Sequence, residues 1–143
     1  MIEVKNKKAY FDYFIESQIE AGIALSGTEI KSIRKGSVDL KDTFARIKND
    51  EVELINMYIA KYEEGNIYNH DERRTRKLLL HKNEIRRLKK DIEQDGYSLI
   101  PLKLYFKGSH VKILLGIGKG KKQFDKRETI KKRDIERENR KGL

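Results

Sequence analysis

The sequence predicts a mainly β fold with flanking α-helices: a small closed β-barrel of about six strands, two to three helices and a basic C-terminal tail. Three observations carry this expectation. Apolar residues recur at every second position in several short runs, which is the strand period, while two other segments show helical spacing between capping residues and glycine. The third is a shift of composition at Gly118, beyond which few apolar side chains remain.

Taken in order, Ala9, Phe11, Tyr13 and Ile15 alternate, then Ile19, Ala21, Ile23 and Leu25, so residues 9–25 read as strand with a bend or bulge at Gly22. Ser26 and Glu29 form a capping box, Ile30 and Ile33 supply an inward face, and Gly36 suits the C′ position, which predicts a helix over 27–35 with Lys31, Arg34 and Lys35 outside. Strands over Thr43–Lys48 and Val52–Ala60 flank a turn at Asn49 and Asp50. Residues 61–76 form a long polar connection with Asn69, His70, Arg73, Arg74 and Arg76, and a connection of that length favours a binding role. A second helix starts near His81, with Glu84 at its third position and Ile85, Leu88 and Ile92 facing inward, and stops at Gly96. Strands over 99–106 and 111–117 enclose a turn at 107–110, and Pro101 implies a free edge or bulge in the first. Closure would remove the exposed edges of such a sheet, and an OB-like barrel is the leading architecture. Residues 1–117 form the expected domain. Residues 118–143 hold 11 Lys or Arg against 5 Asp or Glu, and Phe124, Ile130 and Ile135 cannot form a core, so this tail is expected to be disordered when free and helical on a partner.

Lys and Arg number 33 against 23 Asp and Glu, a net charge of +10 and a pI near 9.6, which favours a polyanionic partner over solubility alone. Cysteine is absent, which excludes disulfides and thiolate sites and agrees with a cytoplasmic protein. Met1–Lys8 has no apolar signal core, and no run is long enough for a membrane helix. Gly116, Gly118 and Gly120 fit neither phosphate-binding glycine motif and read as an exit from the last strand. The three histidines, at 70, 81 and 110, lack zinc spacing, and the carboxylates are scattered among lysines, so neither a metal, a cofactor nor a catalytic pair is expected. An RNA-cleaving role using His70 is the enzyme alternative. Basic groups fall into three clusters: Lys31, Arg34 and Lys35; Arg73 to Lys77, including Arg76; and the tail. Beside exposed aromatics, such clusters suit RNA, because phosphate neutralisation supplies affinity and stacking engages unpaired bases.

The segment from Glu20 to Gly36, EAGIALSGTEIKSIRKG, resembles the EAGI-x-L-x-GTEVKS-x-R-x-G signature of the SsrA-binding protein family. Arg73 to Leu80 (R-x-x-RKLLL) and Gly118 to Arg127 (GKGKKQFDKR) resemble its other two signatures, in matching order and spacing from Asn6 to Arg140. The resemblance implies an OB-type barrel with helices and a non-catalytic monomer that carries transfer-messenger RNA to stalled ribosomes, together with elongation factor Tu on the aminoacylated RNA. It places Asn6, Glu20, Leu79, His81 and Lys112 on the face that meets the tRNA-like domain, to which the basic clusters add Lys31, Arg34, Arg73, Arg76 and Lys77. Structural alternatives stay open: Leu79 as core, Glu20 as a strand-surface carboxylate, His81 as a helix start. The resemblance sends the tail into the vacant mRNA channel and the decoding centre of the small subunit, with Lys119, Lys121, Lys122, Phe124, Asp125, Lys126, Arg127, Lys131 and Arg133 as its contact residues. Two positions depart from the family pattern: Glu72 stands where many members have proline, and Phe124 where His or Tyr is common. A general tRNA- or ribosomal-RNA-binding module is the rival reading.

Overall fold

The computed structural model describes residues 3–64 and 69–121. In chain order these form β1 (Glu3–Lys5), α1 (Ala9–Asp12), β2 (Tyr13–Ile23), α2 (Gly27–Arg34), β3 (Val38–Asp39), β4 (Phe44–Lys48), β5 (Glu51–Ile55), β6 (Tyr58–Ile59), β7 (Arg76–Leu79), α3 (Lys82–Asp95), β8 (Ser98–Lys107) and β9 (His110–Gly120). The mainly β class with three helices is as expected. Seven strands form one antiparallel sheet in the order β1-β8-β9-β2-β7-β5-β4, and β3 pairs with β6. The expected closed barrel is not closed by hydrogen bonds, because β1 and β4 end the ladder. The sheet still curls until β4 approaches β8. Between them lies a cleft lined by Ile47, Ile92 and Leu99, so side chains of α3 stand in the gap. β8 is also bulged between Pro101 and Lys103, where proline brings no N–H.

Local chemistry explains most boundaries. α2 opens with the Ser26/Glu29 capping box and is followed by Gly36 at φ +79°; α3 ends on Gly96 at φ +72°. Asn49 (φ 51°) and Asp50 (φ 59°) make the left-handed turn that joins β4 to β5. Asn56, at φ 69°, ends β5, so the single strand expected over 52–60 becomes β5 and β6.

Residues 9–12 depart from the expected strand. They form a helical turn, with the Asp12 N–H donating to Lys8 O at 2.8 Å. The apolar alternation misled here because Ala9 is buried while Tyr10 and Phe11 are exposed. The expected irregularity at Gly22 lies instead between Ile15 and Ser17; Gly22 allows β7 to approach, with Leu79 Cβ 3.2 Å from where a Cβ would stand. β1, β3 and β7 were not expected as strands. In β7 the inward residues are Arg76 and Leu78, and an inward arginine hides the strand period.

The core within the curled sheet is built from Ile33, Leu54, Met57, Ile59, Leu78, Leu104, Ile113 and Leu115, all fully buried. A smaller cluster of Ala9, Ile100 and Leu102 seats α1. β9 continues past Ile117 to Gly120 along the first residues of β2, with Gly118 opposite Ile15. A Cβ on Gly118 would lie 2.1 Å from Phe14 O, a contact with backbone that no side-chain movement relieves. Gly118→Ala is therefore expected to lower stability by at least about 1–3 kcal/mol in urea unfolding. Gly27→Ala, where a methyl meets nothing within 4 Å, should change it by less than about 1 kcal/mol.

Candidate nucleic-acid interface

The interface begins with a buried carboxylate. Glu29, in the first turn of α2, has no solvent exposure. It accepts from the Ser26 N–H at 2.9 Å, from Arg74 Nε at 3.2 Å to each oxygen, from Arg74 Nη2, and at close range from Arg76 Nε. Arg76, also without exposure, spends its remaining donors on the carbonyls of Met57 at 2.7 Å and Glu72 at 3.3 Å. Burial alone would raise the Glu29 carboxyl, but the arginines and the Ser26 amide outweigh it and hold the group below its usual range. Arg76 therefore faces the interior, which corrects its expected place on an RNA surface. Its physical role is to fix the register at the start of β7.

Because Arg76 and Leu78 point inward, Lys77 and Leu79 point outward. Across the sheet Leu79 lies opposite Gly22, Gly22 opposite Lys112, and Lys112 opposite Tyr105. The next row on this face runs Glu20, Leu114, Lys103 and Lys5. At the other end of the face Lys107 lies opposite His110. One outer face thus gathers Lys5, Lys77, Lys103, Lys107 and Lys112 around Leu79 and Tyr105. Leu79 is 51% exposed, which excludes it from the core.

Glu20 is the carboxylate at the centre of this face. It accepts from the Tyr105 hydroxyl and, at 3.3 Å, from Lys107 Nζ. The Tyr105 bond, then Lys107 and Lys112, hold the carboxyl below its usual range against partial desolvation, so it remains ionised. Burial, then the bond to Glu20, pushes the Tyr105 phenol up to about 12. The other lysines make loose pairs: Lys77 with Glu51 at 3.2 Å, and Lys5 and Lys103 each with Glu3 at 3.8 Å. Exposed pairs of this kind contribute about 0–1 kcal/mol, so phosphate can displace them at little cost.

Asn6 is half-buried and braces the bulge of β8, its Nδ2 donating to Pro101 O at 2.9 Å and its N–H to Leu102 O at 2.8 Å. His81 is exposed and starts α3, its N–H donating to Glu84 Oε1 at 2.8 Å. The other described cations among the expected contact residues sit on rings. Lys31 and Lys35 lie over Tyr62 at 5.5 and 4.6 Å, Arg34 over Phe106 at 5.7 Å, and Arg73 over Tyr58 at 5.2 Å. Lys119 lies over Tyr97 at 4.8 Å, and Lys121 lies over Phe14 at 5.0 Å while donating to Tyr10 O at 2.9 Å. Lys122, Phe124, Asp125, Lys126, Arg127, Lys131 and Arg133 fall outside the described residues.

Sequence reasoning missed Lys103 and Tyr105, whose outward position follows only from register, and the exposed aromatics Tyr10 and Phe14 around Lys121. His70 is not placed for catalysis: it is buried, with Nδ1 2.9 Å from Thr28 Oγ1 and Nε2 2.9 Å from Ile59 O. Among the described residues no group of His, Asp and Glu is arranged to hold a metal ion, and no helix is long and apolar enough to cross a membrane.

The family model described as SmpB protein matches residues 3–143. The SsrA-binding protein of Caldicellulosiruptor saccharolyticus is 62% identical over 138 residues, covering 96% of this chain and 87% of that protein. The SsrA-binding protein of Bacillus subtilis is 59% identical over 134 residues, covering 94% and 86%. A solved chain described under "tmRNA-SmpB: a journey to the center of the bacterial ribosome" shares the fold with a TM-score of 0.68 and 52% identity, over 83% of this chain and 84% of that one.

The Glu20–Tyr105 bond has a spectroscopic consequence. In Glu20→Gln the anion is lost while the burial remains, and the Tyr105 phenol should fall part of the way from about 12, read by ultraviolet titration against a Tyr105→Phe control. An unchanged Tyr105 titration would mean that burial alone sets it.

Proposed function

The chain belongs to the SmpB protein family, and on that premise we propose that it binds the tRNA-like domain of transfer-messenger RNA and brings it to stalled ribosomes. The observation that carries the proposal is the outer sheet face, where Leu79, Gly22, Lys112 and Tyr105 align in one row beside Glu20. Lysines there are flexible point charges that neutralise phosphate without reading a base, while Leu79 and Tyr105 supply apolar contact, so the RNA is selected by its folded shape. Glu20 keeps Lys107 and the Tyr105 hydroxyl in place and remains a carboxylate that can accept from a ribose 2′-hydroxyl.

The same proposal assigns residues 122–143 to the vacant mRNA channel and decoding centre, with Lys119 and Lys121 at their root. Exposed Tyr10 and Phe14 beside Lys121 offer stacking surfaces where the tail leaves the sheet. The curled sheet is taken as an OB-like barrel left unzipped between β4 and β8. No bond-making step is assigned to the protein.

Two measurements test this reading. Lys112→Gln should weaken binding of the tRNA-like RNA and reduce the slope of log K against log salt by about 1. A chain ending at Lys121, which retains all of β9, should bind that RNA within a few-fold of the full chain yet fail to support peptide tagging on stalled ribosomes; normal tagging refutes the role given to the tail.

A further inference from the structure

The solvent face of α3 carries a fourth basic cluster that neither the three signatures nor the sheet face accounts for. Ile85, Leu88 and Ile92 turn inward, so Lys82, Arg86, Arg87 and Lys90 occupy the opposite side, and all four are exposed. Lys82, Arg86 and Lys90 stand four residues apart, rising about 6 Å at each step. Among the described residues none of the four has an ion-pair, hydrogen-bond or ring partner, whereas the neighbouring Lys89 is paired with Asp50 at 3.1 Å. Two carboxylates flank this face one helical turn on: Asp91 after Arg87, and Glu93 after Lys89 and Lys90. Glu84 in the first turn suits the helix dipole, but the cations do not: Lys82 opens the helix, and the last turn holds Glu93 and Asp95 with no cation. The arrangement therefore does not serve the stability of the helix itself.

We infer that this face of α3 holds the sugar–phosphate backbone of a double-helical arm of the same RNA that the sheet face binds. The inference rests on the function proposed above. Continuity favours one RNA over two partners: exposed Leu79 ends the sheet face, exposed His81 begins α3, and only Leu80 separates them. A row of cations at helical spacing, without an aromatic among them, suits a duplex backbone and offers nothing for a splayed base to stack upon. Lys82 and Arg86 would take successive phosphates nearest the sheet, and Arg87 and Lys90 would extend the contact along the arm.

The test compares the full chain with Lys82→Gln/Arg86→Gln/Arg87→Gln/Lys90→Gln. Each is titrated with the whole tRNA-like domain and with the same RNA shortened to its elbow loops, across a salt series. The exposed positions leave folding intact, checked by thermal unfolding. With the whole domain the variant should bind at least tenfold more weakly, with a salt slope shallower by about 2–3; with the shortened RNA the two proteins should bind alike. Equal affinity and slope on the whole domain overturn the inference, and an equal loss on both RNAs overturns its assignment to the duplex arm. Failure of the unmodified chain to prefer the tRNA-like domain over an unrelated structured RNA overturns the proposed function instead.

Discussion

The fold turns on one carboxylate removed from water. Glu29 is fully buried, and its charge is tolerable only because Arg74, Arg76 and the Ser26 amide converge on it. The eight residues of α2 are too few to persist alone, so its position comes from such tertiary bonds. Ser32 Oγ donates to Ala60 O at 2.6 Å, and His70 bridges Thr28 to Ile59. Arg76 then reaches Met57 O, where β5 gives way to β6. Three separate stretches of chain are thereby held around one ionic centre.

What this centre determines outside is the register of β7. Moving that strand by one residue would exchange Lys77 and Leu79 for Arg76 and Leu78 on the outer face. The guanidinium anchored on Glu29 makes such a slip costly, because it would leave the buried carboxylate without this partner. The proposed RNA face is then completed by pairing alone: β7 places Leu79 against Gly22, and β2 and β9 bring Lys112 and Tyr105 into line. Its surface charges are cheaply exchanged, while the charge that positions them is not.

Much of this was legible in the residues. Both longer helices, their caps and the hairpin turn at Asn49 and Asp50 were readable because each depends on side chains within four positions. Basic character was legible from composition; of the expected RNA contacts, Lys77 and Leu79 are exposed and Glu20 and Lys112 are half-buried on the outer sheet face. Arg76 was misplaced because an inward arginine breaks apolar alternation, and only the distant Glu29 reveals why it can be buried. The alternation over residues 9–15 hides α1 because Phe11 is hydrophobic yet exposed. Lys103 and Tyr105 could not be assigned, since the register of β8 against β9 is shifted at Pro101 and no local signal states by how much.

The most direct measurement is urea unfolding of the protein and of Glu29→Gln at pH 7 and at steps down to pH 3. The carboxyl is held below its usual range, so its contribution is fully present above its unfolded value of 4.5 and is lost as pH falls through the folded value. At pH 7 the variant, which leaves Arg76 buried without its anion, should be less stable by about 3–5 kcal/mol. The difference should shrink in acid, where the native glutamate becomes neutral as well. Equal stability of the two proteins at pH 7, or a difference unaffected by acid, would contradict an ionised Glu29 as the centre of the structure.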